Sequence, residues 1–240
     1  MPVSLISDRC LQIRRFGFIN CYLVRETDGL TLIDTAVGAA RIIMEAARHL
    51  GQPLRRIVLT HAHADHVGSV DMVKKLAPDV QLFIGARDAQ LLAEASRGVA
   101  RRNMKLLPGE PPIPVKGSFK KVKAAPDTLL NENDAVGSLR VLATPGHTPG
   151  HISFLDERDG AFYAGDALCT FQETRLPFDP PSYFPLIKGG TWHDSTALRS
   201  IERLVDSGIK RVLAGHGPAR ESSRASLEQA IVHARRKVRA

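Results

Sequence analysis

The sequence predicts an α/β protein, in which short apolar strands alternate with helices along both halves of the chain. Hydrophobic residues make up 43% of the 240 residues and charged residues 24%, as in an ordinary globular protein. A chain of this length can bury a large core without disulfides. These observations indicate layers of one α/β domain and argue against a disordered or fibrous protein.

The N-terminal half begins with a predicted β-hairpin. Residues 18–24 are apolar and β-prone, a Thr-Asp-Gly turn follows at 27–29, and residues 30–33 form the returning strand. Apolar residues then recur at helical spacing over residues 39–50, and Gly51 ends the helix. The remaining elements predicted for this half are strands at 56–60 and 81–84 and helices at 70–76 and 88–95.

The C-terminal half follows the same order of strands and then helices. The predicted elements are strands at 139–143, 151–155, 161–164 and 211–214, a helix at 195–205 and a last helix from Arg224. Polar clusters stand at the ends of several of these strands, as in the first half.

Two long segments show no strand or helix pattern. The first, between residues 97 and 123, contains eight basic residues and one acidic residue, Glu110. The second, residues 170–192, contains five aromatic residues and four prolines. Loops of this length in a compact domain are usually lids, binding loops or disordered segments. The sequence therefore predicts a single domain over residues 1–240, with loop insertions at about 96–127 and 170–192.

Composition also indicates the cellular location of the protein and the kind of partner that it binds. No run of 18 apolar residues and no apolar leader follows Met1, so we expect neither a membrane span nor a secretory signal. Cys10, Cys21 and Cys169 are odd in number and scattered, which is typical of a reducing compartment such as the cytoplasm. The net charge of +8 has its largest block of basic residues in a loop, so it favours a polar or anionic small-molecule substrate over a nucleic-acid surface. Both a monomer and a homodimer are compatible with this composition.

A histidine cluster follows the predicted strand at 56–60. Side chains two residues apart point the same way from an extended segment, so His61 and His63 can share one metal ion. Asp65 and His66 fall where a helix should begin and can face a second ion. Nitrogen and carboxylate ligands together suit Zn²⁺, Fe or Mn²⁺, and the absence of cysteine argues against a structural zinc site. An accidental surface cluster is the alternative.

Three further candidate ligands repeat this placement at strand ends. His147, Asp166 and His216 each follow a predicted strand, and a glycine precedes each of them, which allows a sharp turn of the backbone. Open α/β layers place their sites beyond the carboxyl ends of strands. We therefore expect these three side chains and the histidine cluster to converge on one edge of the protein.

These motifs, in this order, resemble those of the metallo-β-lactamase-fold hydrolases, which include glyoxalase II-like and lactonase-like enzymes. The resemblance spans about residues 17–218. It rests on His-Ala-His-Ala-Asp-His at 61–66, Thr-Pro-Gly-His-Thr-Pro-Gly-His at 144–151, Ala-Gly-Asp at 164–166 and Gly-His-Gly at 215–217. It implies an αββα sandwich of two mixed β-sheets flanked by helices, with two divalent metal ions. Zn²⁺ is the expected metal, with Fe or Mn as alternatives.

The resemblance also implies a ligand set. One ion would be held by His61, His63 and His147 and the other by Asp65, His66 and His216, with Asp166 bridging the two. Asp34 matches the family's buried aspartate behind the ligands, with a helix N-cap as the alternative role. His151, four residues after His147, is expected to support the site from behind or to pack. Two divalent ions, two aspartates and a bridging hydroxide leave the site near +1, which would attract an anionic or carbonyl substrate.

The activity implied is hydrolysis of an ester, lactone or thioester by a hydroxide that bridges the two metals, with Asp65 passing a proton to the leaving atom. Candidate substrate contacts are Cys169, Tyr183 and Phe184. Cys169 stands where lactonase-like members have a tyrosine, and a buried filler is its alternative role. Tyr183 either contacts substrate or anchors the aromatic loop. That loop is expected to form an apolar wall over the metal edge, and the basic loop an anion-attracting rim.

Three other functions are alternatives. A mono-iron persulfide-dioxygenase-like enzyme shares His-Ala-Asp-His at 63–66 and Gly-Asp-Ala-Leu at 165–168, but its Cys-Gly-Arg-Thr segment is absent. A metal-dependent phosphodiesterase or nuclease would use the basic loop, but Phe119 alone is available there for base stacking, so we expect no nucleic-acid partner. A purely structural metal site would need about four ligands, and the sequence offers seven.

Overall fold

The fold comes from a computed structural model that describes residues 2–98 and 107–238. Within these residues, the first of two sheets contains seven strands, which follow one another in space as in the chain. They are β1 (Val3–Ser7), β2 (Cys10–Arg15), β3 (Ile19–Arg25), β4 (Leu30–Ile33), β5 (Leu54–Leu59), β6 (Gln81–Gly85) and β7 (Thr128–Leu130). The pairs from β1 to β4 are antiparallel and those from β4 to β7 are parallel, so this sheet is mixed.

The second sheet contains six described strands in the spatial order β13-β12-β11-β10-β9-β8. Their bounds are β8 (Ala135–Val136), β9 (Leu139–Ala143), β10 (Ile152–Asp156), β11 (Ala161–Gly165), β12 (Arg211–Ala214) and β13 (Arg220–Glu221). Only the β11–β12 pair is parallel among these strands, so this sheet is mixed as well.

The described residues form seven helices, most of which cover the outer faces of the two sheets. They are α1 (Ala40–His49), α2 (Ala64–Val67), α3 (Val70–Leu76), α4 (Ala86–Ser96), α5 (Leu186–Gly190), α6 (Asp194–Glu202) and α7 (Arg224–Val238). Buried side chains of α1, α3 and α4 share a core with the first sheet, and those of α6 and α7 share one with the second. None of the described helices is long and apolar enough to cross a bilayer.

A third core lies between the two sheets. Tyr22 and Val58 contribute to it from the first sheet, and Phe154, Tyr163 and Leu213 from the second. The rings of Tyr22 and Tyr163 meet edge to face with centroids 5.5 Å apart. The predicted αββα sandwich of two mixed sheets is therefore confirmed.

Hydrogen bonds pin the two sheets together at one edge. The backbone N–H of Asn20 donates to the carbonyl of Gly215 at 2.9 Å, and the Tyr22 hydroxyl donates to the carbonyl of Ala214 at 2.6 Å. On the other side of the same edge, the N–H of Ile152 donates to the carbonyl of Thr60 at 2.9 Å. This edge therefore has fixed geometry, and the candidate ligands lie on it.

Most predicted elements occur within a few residues of their predicted bounds. Four agree to the residue, namely β4, α3, β9 and β12. The sequence did not predict β1, β2, β7, β8, β13 or α5, the last of which lies inside the predicted loop 170–192. Part of the predicted basic loop, including Arg101, Arg102 and Lys105, lies outside the described residues.

Candidate metal centre

The predicted ligands meet at the pinned edge of the sandwich. They follow β5, β9, β11 and β12 or lie on the short helix α2. All of them are buried except Asp65, whose side chain is 34% exposed. The members of this set are His61, His63, Asp65, His66, His147, Asp166 and His216.

Three imidazoles form the first group. The Nε2 atom of His61 lies 3.1 Å from Nδ1 of His63, which lies 2.9 Å from Nε2 of His147. Burial lowers the pKa of all three rings, so they are neutral at physiological pH and offer lone pairs. Converging nitrogen lone pairs suit a cation at their centre, as in three-histidine zinc sites.

Asp65, His66 and His216 form the second group. Oδ2 of Asp65 lies 3.3 Å from Nε2 of His216 and 3.8 Å from Nε2 of His66. Burial opposes ionisation of Asp65, but the neighbouring His66 and His216 outweigh it and lower the pKa of the carboxyl group. Burial likewise opposes protonation of His216, but Asp166 and Asp65 raise its pKa to about 10.

Asp166 lies between the two groups. Its Oδ2 atom is 3.3 Å from Nε2 of both His147 and His216, and its Oδ1 atom is 3.3 Å from Nε2 of His66. Oδ1 of Asp166 and Nε2 of His66 are buried and have no hydrogen-bond partner. Buried polar atoms are rarely left unpaired, so this geometry fits a bound cation that completes their coordination. The carboxylate touches both groups, as the predicted bridging role requires.

The second ring nitrogen of each candidate histidine ligand contacts an oxygen. The partners are Thr60 Oγ1 for His61 (3.0 Å), the Lys116 carbonyl for His63 (2.9 Å), Asp34 Oδ2 for His66 (2.8 Å), Thr191 Oγ1 for His147 (3.1 Å) and the Phe18 carbonyl for His216 (2.8 Å). Such contacts fix the ring orientation and tautomer of metal-binding histidines. Thr191 and Phe18 were not predicted from the sequence.

Asp34 lies directly behind this centre. Its carboxylate accepts hydrogen bonds from the backbone N–H of Thr60 at 2.9 Å, from the Thr60 hydroxyl at 2.8 Å and from His66 Nδ1. The following helix, α1, has Ala39 at its N-cap position, so Asp34 is not a helix cap. The structure therefore favours the supporting role over the alternative.

His151 has no nitrogen available for a metal. Its Nε2 atom accepts a hydrogen bond from the backbone N–H of Asp166 at 3.0 Å, and its Nδ1 atom lies 2.8 Å from Thr144 Oγ1. Burial lowers the pKa of His151 to about 3, so the ring stays neutral and Nε2 stays an acceptor. The ring positions the backbone at Asp166.

Asp88 joins two ligand-bearing loops, a role that the sequence did not reveal. Its carboxylate accepts hydrogen bonds from the backbone N–H groups of Ala62 and Gly150 and from the Thr148 hydroxyl, each at 2.8 Å. Ala62 stands between His61 and His63. Burial raises the pKa of Asp88 to about 6, although the three donors favour its charged form.

Gly165 and Gly215, which precede two of the ligands, are required for different physical reasons. Gly165 has φ of +51°, a left-handed conformation that glycine adopts easily. Gly215 is needed for space, since a Cβ atom there would lie 2.3 Å from Oδ1 of Asp166 and 2.6 Å from Cε1 of His66. Both features bring the strand ends close to the ligand groups.

A cavity of about 550 Å³ opens onto the ligands. Both long loops border it, with Gly117 and Ser118 from the basic loop and with residues 184–187, 189 and 190 from the aromatic loop. Phe184 lines the cavity where it was expected, but two other predicted substrate contacts need correction. Cys169 has no exposed surface, and Tyr183, which is 59% exposed, packs edge-on against Phe171 and borders a neighbouring cavity instead.

The predicted basic rim also differs from the structure. No Lys or Arg is among the described residues that line the cavity. Lys116 contributes its carbonyl oxygen to His63, and its exposed side chain does not line the cavity. Lys120 donates to the carbonyl of Gly68. The basic side chains that the structure describes in this loop therefore do not form an anion-binding wall.

The comparisons with known proteins agree on one protein family. A family model described as the metallo-beta-lactamase superfamily matches residues 14–216. The Bacillus subtilis protein YobT is 37% identical over 220 residues, which cover 91% of each chain. The hydroxyacylglutathione hydrolase GloC of Haemophilus influenzae is 28% identical over 203 residues, covering 82% of this chain and 85% of that protein.

A solved structure shows the same fold. A metallo-beta-lactamase from Pontibacter korlensis matches with a TM-score of 0.69 at 19% identity, covering 97% of this chain and 98% of the other. At this identity the likeness concerns the fold alone. The family match over most of the chain, together with the clustered ligands, is decisive: the chain belongs to the metallo-beta-lactamase superfamily and is a metal-dependent hydrolase.

Proposed function

We propose that this enzyme hydrolyses an ester, lactone or thioester with two divalent metal ions. The observation that carries the proposal is the Asp166 carboxylate, which lies 3.3 Å from His147 in one group and 3.3 Å from His216 in the other. One ion would be held by His61, His63 and His147 and the other by Asp65, His66 and His216, with Asp166 shared. GloC, a relative named as a hydroxyacylglutathione hydrolase, supports a thioester as one substrate type.

The two ions would lower the pKa of a water molecule towards neutrality and polarise a carbonyl oxygen. The chain would supply orientation and a path for the proton. His66 and His216 lower the pKa of Asp65, so its carboxylate is charged at neutral pH and can accept a proton at Oδ2. The Asp65 side chain is 34% exposed and lines the cavity, so it can then deliver that proton to the leaving atom.

Zn²⁺ is the proposed metal, because histidine nitrogen and carboxylate oxygen are ligands that zinc readily accepts. Iron and manganese share these preferences, so elemental analysis of the purified enzyme decides between them. We also propose a cytoplasmic location, which is supported by Cys10, Cys21 and Cys169 being unpaired and buried.

The test measures metal content and hydrolysis on the same preparation. Wild-type enzyme is expected to hold about two ions per chain and to hydrolyse members of a panel of esters, lactones and thioesters. Asp166→Ala is expected to lose both metal and turnover, whereas Asp71→Asn, remote from the ligands, should retain both. An active, metal-free Asp166→Ala variant would contradict the proposal. One firmly bound iron and no ester hydrolysis would instead favour the persulfide-dioxygenase-like alternative.

A further inference from the structure

The cavity over the ligands has an aromatic side. The ring of Phe184 lies 5.3 Å and that of Phe18 lies 6.3 Å from the ring of His216, and the two phenylalanine rings are 5.2 Å apart. Phe171 packs against Phe184 at 4.4 Å and supports it. Phe18 and Phe184 line the cavity and are only half-buried, so both leave apolar surface available to a bound molecule.

Helix α5 and the residue before it continue this apolar surface. Pro185, Leu186 and Ile187 line the cavity, and Leu186 is 67% exposed. The helix is attached to the metal centre, because the Thr191 hydroxyl donates to the Ile187 carbonyl at 2.9 Å and lies 3.1 Å from Nδ1 of His147. The apolar wall defined by these contacts consists of Phe18, Phe184, Pro185, Leu186 and Ile187.

Apart from the candidate ligands, the cavity has few polar side chains. Among the other lining residues that the structure describes, Ser118 alone has a polar side chain, and none has a charged one. Lys188, on α5, lines the neighbouring cavity instead. The Arg15 guanidinium donates to the Val37 carbonyl at 3.4 Å and lies over the ring of Phe16. The described lining therefore offers no cationic side chain to pair with an anionic group of a substrate.

We infer that the enzyme acts on uncharged substrates whose hydrocarbon chain packs on the apolar wall. This preference rests on the proposed function and names its substrate class, an ester, lactone or thioester with an apolar chain and no carboxylate. Removing the chain from water stabilises the complex, whereas a carboxylate on the wall would lose its water without gaining a partner. The preference applies whichever side of the scissile bond carries the chain, because it depends on the lining of the cavity and not on which atom leaves.

Two pairs of esters test this preference, one with the chain on the acyl side and one with it on the alcohol side. The first pair is methyl hexanoate and monomethyl adipate, and the second is pentyl acetate and 5-acetoxypentanoate. Within each pair, a carboxylate replaces the terminal methyl group far from the ester, so the intrinsic reactivity of the ester hardly changes. The faster of the two uncharged esters identifies the pair whose chain reaches the wall.

In that pair, we expect kcat/KM for the uncharged ester to exceed that for the anion at least about tenfold. A methyl group removed from water contributes up to about fourfold, and the loss of water from an unpaired carboxylate adds to this difference. A ratio below about threefold, or a preference for the anion, would overturn the inference.

A variant of the wall assigns the preference to it. Leu186→Lys places a cation on the wall at an exposed position, and we expect it to raise kcat/KM for the anion and to lower the ratio at least about fivefold. Leu76→Lys is the matched control, since Leu76 is 47% exposed on α3, lies outside the cavity and changes the net charge equally. It should keep the wild-type ratio. An unchanged ratio in Leu186→Lys would overturn the inference, and a change from dimer to monomer on gel filtration would then assign Leu186 to a contact between two copies of the chain.

Binding of an unreactive analogue gives a readout without turnover. N-pentylhexanamide has an apolar chain on each side of an amide, and titration calorimetry with the purified enzyme measures its dissociation constant. The wild type and Leu76→Lys should bind it equally, and Leu186→Lys at least about threefold more weakly, whereas equal binding by all three proteins would contradict the inference. Ester hydrolysis without the preference refutes the inference alone. Amide binding that Leu186→Lys weakens, with no hydrolysis of any ester, lactone or thioester, refutes the proposed function and supports the apolar site.

Discussion

Replacing Asp34 by asparagine is expected to weaken metal binding by about 10- to 100-fold, because it changes which ring nitrogen of His66 carries the proton. The Asp34 carboxylate has donors at both oxygens, the Thr60 N–H at Oδ1 and the Thr60 hydroxyl and His66 Nδ1 at Oδ2. Asparagine has the same shape but only one acceptor oxygen. It also tolerates the left-handed backbone at this position, where φ is +55°, so the substitution adds little backbone strain.

Either orientation of the new amide has a cost. With its oxygen towards the Thr60 N–H, the amide NH₂ group faces His66 Nδ1 and favours the tautomer that carries its proton on Nε2. That nitrogen is the one that faces Asp166 and Asp65. With the amide reversed, the buried Thr60 N–H loses its acceptor, at a cost of about 1–3 kcal/mol. The expected loss in affinity corresponds to about 1.4–2.7 kcal/mol of binding free energy.

The assay is competition between the protein and a zinc chelator at pH 7.5, with urea unfolding of the metal-free protein measured in parallel. Asp71→Asn is the matched control, because Asp71 accepts backbone hydrogen bonds from Lys123 and Ala124, away from the ligands. Its zinc affinity should equal that of the wild type. An Asp34→Asn affinity within twofold of the wild type would refute the role assigned to Asp34.

Three further predictions concern the surroundings of the ligands. Gly215→Ala should lower the number of bound ions per chain, measured by elemental analysis, because the new Cβ would lie 2.3 Å from Asp166 Oδ1. Gly189→Ala, which has open space around its Cβ, is the control and should keep the full number of ions. In metal-free protein, the depressed pKa of His151, about 3 against 6.5 when unfolded, means that unfolding takes up a proton below pH 6.5. Above pH 6.5 the ring is neutral in both states and costs no stability, and between pH 6.5 and 5 it lowers the free energy of unfolding by about 2 kcal/mol. Urea unfolding should therefore show a smaller fall between these pH values in His151→Gln than in the wild type, and an equal fall in both proteins would disprove the prediction. Thr148→Val removes one of three donors to the Asp88 carboxylate and should lower the free energy of unfolding by about 1 kcal/mol, measured as a lower urea midpoint.

Strands were predictable where burial made their sequence distinctive. β3 is buried at six successive residues, of which only Asn20 is strongly polar, and β11 is buried at all five, so both are nearly continuous apolar runs. β1 was missed because it forms an edge, where an apolar side chain such as Leu5 is 68% exposed and no alternation of apolar and polar residues develops. β8 and β13 are two-residue strands held by their neighbours, so their own sequence contains little evidence of them.

The candidate ligands were predictable because the placement at strand ends is local. A histidine or aspartate directly after an apolar strand is visible in one short segment, and the fold then brings these segments to one edge. Supporting contacts are different, since they join residues far apart in the chain. The carbonyl of Phe18 contacts His216, and Asp88 receives the N–H of Gly150. No spacing pattern in the sequence predicts either of these contacts.

The lining of the cavity was harder to predict for a related reason. The basic loop suggested a basic rim, but a count of charges along a segment does not say which way its side chains point. Lys116 turns its carbonyl oxygen to His63 and its side chain to solvent. The aromatic loop was predicted to form an apolar wall, and Phe184 does line the cavity. Burial favours an apolar side chain at a cavity wall, whereas a lysine on a loop is equally well solvated in many directions. Among the residues that the structure describes, the aromatic loop therefore predicted the cavity lining better than the basic loop did.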